Sequence, residues 1–242
     1  MTQEEIDACY GEEIEDLAQE FKTSPEECVL ALREKYDGYR FHQNGEKVYN
    51  PYSLLYAFFD KELSSYWYET GTPTFLVKRL KEIKFDIRKF TNGTLYGSRA
   101  LLSDYTDDVA NPIPLLYQSG YLTIKDYDNR RSRYLLGFPN KEVEEGFLDN
   151  LMPTYVPSSQ EGLGTDIYTF DVYIENGDLE GVRNVFTALF AGIAYTKAND
   201  PFENYFQTVF YLVFTLLNNL NFHRRCTKAP FFDAKSGKSL DI

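Results

Sequence analysis

The sequence predicts a mainly α-helical chain with two small β-hairpins, an α+β fold. Three features predict it. Helix-start signatures recur near the N-terminus, and two short alternating segments flank a polar turn at 126–131. A long apolar run, Phe206 to Leu220, is interrupted only by residues such as Gln207, Thr208 and Thr215. That run is too short and too mixed to span a bilayer and suits a buried core helix.

Each element follows in order. Thr2 with Glu5 forms a capping box, and Ser24-Pro25-Glu26 sets an N-cap, a proline at the first helical position and an acid in the first turn. Ile14, Leu17, Ala18 and Phe21 are spaced for one buried face, as are Val29, Leu30 and Leu32 less cleanly, so residues 2–36 read as two or three short helices. Gly38 breaks the helix. Asn44-Gly45 offers a tight turn between Arg40-Phe41 and Lys47-Val48-Tyr49, and Asn50-Pro51 starts a helix to about Phe59. Residues 74–84 form an amphipathic helix with Phe75, Leu76, Leu80 and Ile83 on one side.

Asn111 to Gly120 reads as a short helix closed by glycine. Tyr121–Lys125 and Ser132–Leu136 alternate around Asp126–Arg131 and form a hairpin, after which Pro139-Asn140 caps a helix from Lys141 to about Leu151. Helix, hairpin, helix is the order around the wing of a winged-helix module. Val156 to Thr165, rich in Pro, Ser and Gly, is the expected linker. Helices at 178–190 and 201–217 follow, and from Asn218 the pattern dissolves.

Composition narrows the function classes. The chain has 242 residues, 17% aromatic, with a net charge of −12, which excludes a general nucleic-acid coat because such binding needs clustered cations. Three widely spaced cysteines and an acidic, polar N-terminus point to a reducing, cytoplasmic setting without a signal peptide. His42 and His223 have no nucleophile partner in sequence context, and no metal-ligand set is visible. Ser236-Gly237-Lys238-Ser239 imitates half a P-loop, but Phe232 stands where the leading glycine is required and three residues leave no room for the following helix.

The stretch YDGYRF (36–41), then VYNPYSLLYAFF (48–59) and SYWYETGTPTFLVKRL (65–80), resembles a large bacterial family of AAA-like ATPases. LLYQSGYLTIK (115–125), LLGFPNKEVEEGFLDNL (135–151), DLEGVRNVFTALFAGIAY (178–195) and ENYFQTVFYLVFTLL (203–217) extend the likeness in the same order. In that family a P-loop domain leads into a helical, winged-helix-like region and the chain ends in a PD-(D/E)xK nuclease-like domain. The resemblance implies a winged-helix-like region over 1–155, a linker at 156–165, and the opening helices of a truncated nuclease-like domain over 166–242. The P-loop and the G-R-x-D and E-x-K strands have no counterpart here, so the expectation is a regulatory or coupling region without catalysis of its own, ATP and Mg serving only full-length relatives.

The resemblance also ranks residues. Glu203 matches a nuclease-helix acid, and Tyr36, Asp37, Gly38, Tyr39 and Arg40 form the sharpest motif, with Arg40 implied to face nucleotide phosphate when that domain exists. The competing reading of the motif is structural, with Asp37 capping a turn and Gly38 supplying positive φ. Lys125, Arg130, Arg131 and Arg133 are the candidate nucleic-acid contacts at the hairpin, offset by Asp126 and Asp128. The alternative is a stand-alone module binding protein or nucleic acid. The apolar 201–217 helix predicts self-association unless the 178–190 helix covers it.

Overall fold

The computed structural model describes residues 1–69, 74–83, 85–103, 111–155, 169–191, 202–227, 231–232 and 239–240. The described chain is mostly helical with a small antiparallel sheet, the predicted α+β class. The expected linker at 156–165 lies outside the described residues.

The predicted capping box at Thr2 and the predicted N-cap at Ser24 both form, the latter as a second capping box. Thr2 and Glu5 open α1 (Gln3–Cys9), and Ser24 with Glu27 opens α3 (Pro25–Tyr36), with α2 (Gly11–Glu20) between them. The buried face of α3 is Cys28, Ala31, Leu32, Lys35 and Tyr36, whereas Leu30 is exposed. The face is turned from the one periodicity suggests because the helix end must deliver Lys35 and Tyr36 inward. Asn50 caps α4 (Pro51–Asp60), and α5 (Tyr66–Glu69) follows. Leu17, Leu32, Leu54 and Leu63 centre one hydrophobic cluster that runs from Ile6 to Leu63.

The second unit starts with α6 (Thr74–Glu82) and a 3-10 turn (Ile87–Phe90), then β1 (Tyr96–Gly97), α7 (Arg99–Leu102) and α8 (Ile113–Gln118). β2 (Thr123–Asp128) and β3 (Arg133–Gly137) form the predicted hairpin, and β1 pairs with β3 to give the sheet order β1-β3-β2. α9 (Lys141–Tyr155) runs past Leu151 and through Pro153. α10 (169–175), α11 (Leu179–Ala191) and α12 (Phe202–Thr227) complete the helices, and β4 (Phe231–Phe232) pairs with β5 (Ser239–Leu240). α12 does not stop at Leu217: residues 218–227 hold no Gly or Pro, and a helix once nucleated propagates through such a stretch.

One cluster joins Tyr39, the sheet, α9 and α12, with Phe147 at its centre against Phe90, Tyr121 and Phe138. α12 buries Val209, Leu212, Val213, Leu216 and Leu217. Its Phe210 lies 4.5 Å from Phe186 of α11 in a tilted ring pair, so α11 covers part of the apolar face, while Phe210 and Phe214 stay partly exposed. Arg88 also donates to Gln207, and Thr91 bonds Tyr211. The hydrophobic interior therefore divides near residue 63, between the α1–α4 unit and the sheet, and the larger cluster spans both sides of the expected linker.

Candidate functional site

The two clusters meet where Tyr36–Arg40 passes from α3 to the sheet. Tyr36 ends α3 fully buried, and its hydroxyl donates to the Ser64 carbonyl at 2.9 Å. Burial, reinforced by the Glu142 charge, pushes its phenol far above the ordinary range. Asp37 closes the helix in extended conformation, its N–H donating to the Arg33 carbonyl at 3.0 Å. Its Oδ1 is buried with no hydrogen-bond partner among the described residues. Gly38 has φ +121°, and a Cβ there would overlap the carbonyl oxygen of Pro139, so only glycine lets the chain pass.

Beyond Gly38 the segment is stitched to both sides. Tyr39 and Val48 exchange backbone hydrogen bonds at 3.1 and 2.9 Å. The predicted 40–49 hairpin shrinks to that one bridge because the Arg40 backbone is engaged elsewhere. The Arg40 N–H donates to Thr123 Oγ1 at 2.7 Å, and the Arg40 carbonyl accepts from the Thr123 hydroxyl at 2.9 Å. Arg40 Nη1 donates to the Lys125 carbonyl at 3.2 Å, while its Nε is buried without a partner among the described residues. The structural reading of this motif thus has direct geometric content.

Lys125 is the extra residue of a β-bulge, since Ile124 faces Leu136 and Asp126 faces Leu135. A bulge re-aims its side chain. The Lys125 stem packs over Gly137 and its ammonium donates to the Pro139 carbonyl at 3.0 Å. The residue keeps contact with solvent, yet its surroundings still draw the ammonium down to about 8, by desolvation first and then by Lys47, against the pull of Glu144 and Asp37. It lines an open cleft of about 320 Å³ with Glu34, Thr91, Asn140, Lys141 and Glu144. Lys141 and Glu144 are themselves paired at 2.7 Å.

The arginines lie apart from Lys125, at the hairpin tip. Arg130, Arg131 and Arg133 are exposed, and Asp128 accepts from the Arg130 and Arg131 N–H groups at 2.9 and 3.1 Å and from Arg131 Nη1 at 2.8 Å. The four basic candidates therefore make two groups. Glu203 falls in the first turn of α12, and its side chain lies outside the described residues. Among the described residues no group of His, Cys, Asp or Glu is arranged to hold a metal ion, and no helix is long and apolar enough to cross a membrane.

Sequence reasoning missed the buried acids of α9. Glu142 is fully buried in the first turn, where the helix dipole favours a carboxylate. Its Oε1 accepts from Ser53 Oγ and from the Trp67 N–H, both at 2.8 Å, and its Oε2 has no partner among the described residues. Burial pushes the carboxyl up to about 7, against those two hydrogen bonds and Lys35. One turn on, Glu145 pairs with the buried Lys35 of α3; its carboxyl too is raised by burial and held back by Lys35. Gly146 lets the Tyr68 ring lie directly on the helix. These contacts tie α3, α4 and α5 to α9 through polar groups, and first-turn acids carry no sequence mark of such burial.

The sheet and the helical unit are thus joined at Gly38, which abuts Pro139, and at the buried Lys35–Glu145 ion pair. No family model matches the chain, and no solved structure matches it. A protein of Azotobacter chroococcum mcd 1, described as an uncharacterized protein in the vnfD 5′ region, is 34% identical over 224 residues. The match covers 89% of this chain and 40% of that protein, so the chain spans about two fifths of the relative's length.

Proposed function

We propose that this chain is the coupling region of an ATPase/nuclease-like protein, non-catalytic by itself, that transmits displacement from the 36–41 segment to the sheet and α9. The observation that carries the reading is the double attachment of Tyr36–Arg40. Asp37 caps α3, Gly38 abuts Pro139, and Arg40 is bonded to β2 at Thr123 and Lys125. The segment moves only if both units move. Its position in the resemblance, directly after a nucleotide domain, makes it the input; a relative more than twice as long leaves room for such a domain.

The order α6, β1, α7, α8, β2, β3 with β1 against β3 supports a winged-helix-like module as the receiving element. Nucleic-acid contact receives less support. α8, where a recognition helix would lie, reads Ile-Pro-Leu-Leu-Tyr-Gln with no cation and buries Ile113, Pro114 and Leu116.

Hydrogen exchange on wild type and Gly38→Ala tests the coupling. Faster exchange in both the α3–α4 region and β2–α9 is expected, and a change confined to one unit refutes the reading. Hydrolysis of MgATP or metal-dependent cleavage of DNA by the purified chain would refute the non-catalytic part.

A further inference from the structure

Four side chains of α4 share one open face. Tyr52, Leu55, Tyr56 and Phe59 recur at i, i+3, i+4 and i+7 and form a single stripe. Phe59 is 81% exposed and Leu55 45%, while Ser53, Leu54 and Ala57 anchor the opposite face. The Tyr52 and Tyr56 rings lie 4.7 Å apart, and Tyr56 stacks on Tyr66 at 5.6 Å, carrying the patch toward α5. Beside that stack, Leu55 and Phe59 remain open to solvent. Contiguous exposed apolar surface on a helix marks a recognition face, unlike singly scattered side chains.

The charge beside it selects the occupant. α2 packs next to α4, and Lys61 at the end of α4 reaches Asp16 of α2 at 3.4 Å. α2 exposes Glu12, Glu13, Glu15, Asp16 and Glu20 and contains no Lys or Arg, and α4 itself carries no base. Residues 1–63 hold 15 Asp and Glu against 6 Lys and Arg, a balance of −9 out of the chain's −12.

We propose that the α4 stripe and the acidic flank of α2 form a docking surface for a cationic amphipathic helix of a partner protein. The apolar face of that helix would seat on Leu55, Tyr56 and Phe59, and its Lys and Arg would meet the α2 carboxylates, the helix-on-groove mode of recognition. Charge disfavours the other occupants. A second copy would set −9 against −9, and an anionic lipid surface carries the same sign. The aromatic anchors would set the lifetime of the complex, and the acidic rim its association rate and salt dependence.

The probe is a fluorescent 18-residue synthetic helix of Leu and Lys in amphipathic order, with a Leu/Glu counterpart, titrated with the full chain at low and high salt. The Leu/Lys helix is expected to bind wild type, more weakly in high salt, and at least about tenfold more weakly to Leu55→Ser/Phe59→Ser. Both substituted positions are exposed, so the thermal melt of the double variant should match wild type. Absence of binding, or undiminished binding to the double variant, overturns the proposal. A dimer in sedimentation, or binding to phosphatidylglycerol vesicles, that the double variant abolishes would assign the face to a second copy or to a membrane, and overturns it equally.

Discussion

Replacing Glu142 by Gln should change the pH dependence of stability in a defined direction. The Glu142 carboxyl is fully buried and raised from 4.5 to about 7. Between those values the folded chain keeps a proton that the unfolded chain has shed, so wild-type stability falls as pH rises through the window and levels off above it. The shift corresponds to at most about 3 kcal/mol at pH 8. Gln does not titrate and keeps an oxygen for Ser53 and Trp67. Its amide puts an unpaired N–H2 where Oε2 had no partner, but that penalty is the same at every pH. The diagnostic quantity is therefore the difference in ΔΔG between pH 5 and pH 8, not either value alone. Trp67 is the single tryptophan of the chain and its backbone N–H is bonded to Glu142, so urea unfolding followed by its fluorescence reads the seam directly. Relative to wild type, the variant should gain at pH 8 by up to about 3 kcal/mol over its standing at pH 5. Equal ΔΔG at both values refutes the assignment of the buried charge.

Gly38→Ala should lower stability by about 2–4 kcal/mol, measured by urea titration, because it sets positive φ against a β-carbon and overlaps the Pro139 carbonyl. Gly146→Ala lies inside α9, where a helical Gly→Ala change ordinarily stabilises by about 0.5–1 kcal/mol; overlap with the Tyr68 ring should reverse the sign, to a loss of about 1–3 kcal/mol in the same assay. Phe147→Ala removes a fully buried ring that touches three others and should cost about 3–5 kcal/mol, lowering the melting temperature accordingly. Substituting Arg130, Arg131 and Arg133 together by Ala should leave the urea midpoint unchanged, since the pair lost with Asp128 lies at the exposed hairpin tip. Neither that variant nor wild type should bind duplex DNA in a gel-shift assay; salt-dependent binding lost on substitution would favour the nucleic-acid alternative.

The helix starts were legible because their signals are local. Thr2, Ser24 and Asn50 satisfy backbone N–H groups within three residues, and the structure has all three caps. The β2–β3 hairpin was legible for the same reason. β1 was not, because two residues carry no alternation and pair only through contacts with β3 far along the chain. The turned face of α3 and the burial of Glu142 and Lys35 are likewise tertiary effects: an acid in a first turn looks solvated until α4 and α5 close over it. For the candidate site, the sequence singled out Tyr36–Arg40 but could not say what it touches. It also grouped Lys125 with the hairpin arginines, which a bulge separates.

Two features of the seam act together on how motion would pass through it. A purely apolar interface between the α1–α4 unit and the sheet would tolerate sliding, because dispersion contacts are non-directional and reform after small shifts. Here the interface is crossed by directional links: Lys35 to Glu145, Ser53 and Trp67 to Glu142, and Arg40 to Thr123. Breaking a buried ion pair by removing one partner strands a charge, which is far more damaging than losing a methyl contact. Gly38 adds a steric stop, since the backbone there is held against Pro139 with no side chain to yield. The units are thus registered to one another, and these directional links are the physical basis of the coupling proposed from Tyr36–Arg40 to β2 and α9. Glu142, fully buried at this seam with its carboxyl raised to about 7, changes charge near neutrality. Under the proposed coupling role, the unpaired negative charge that appears there as pH rises would loosen the joint between the two cores.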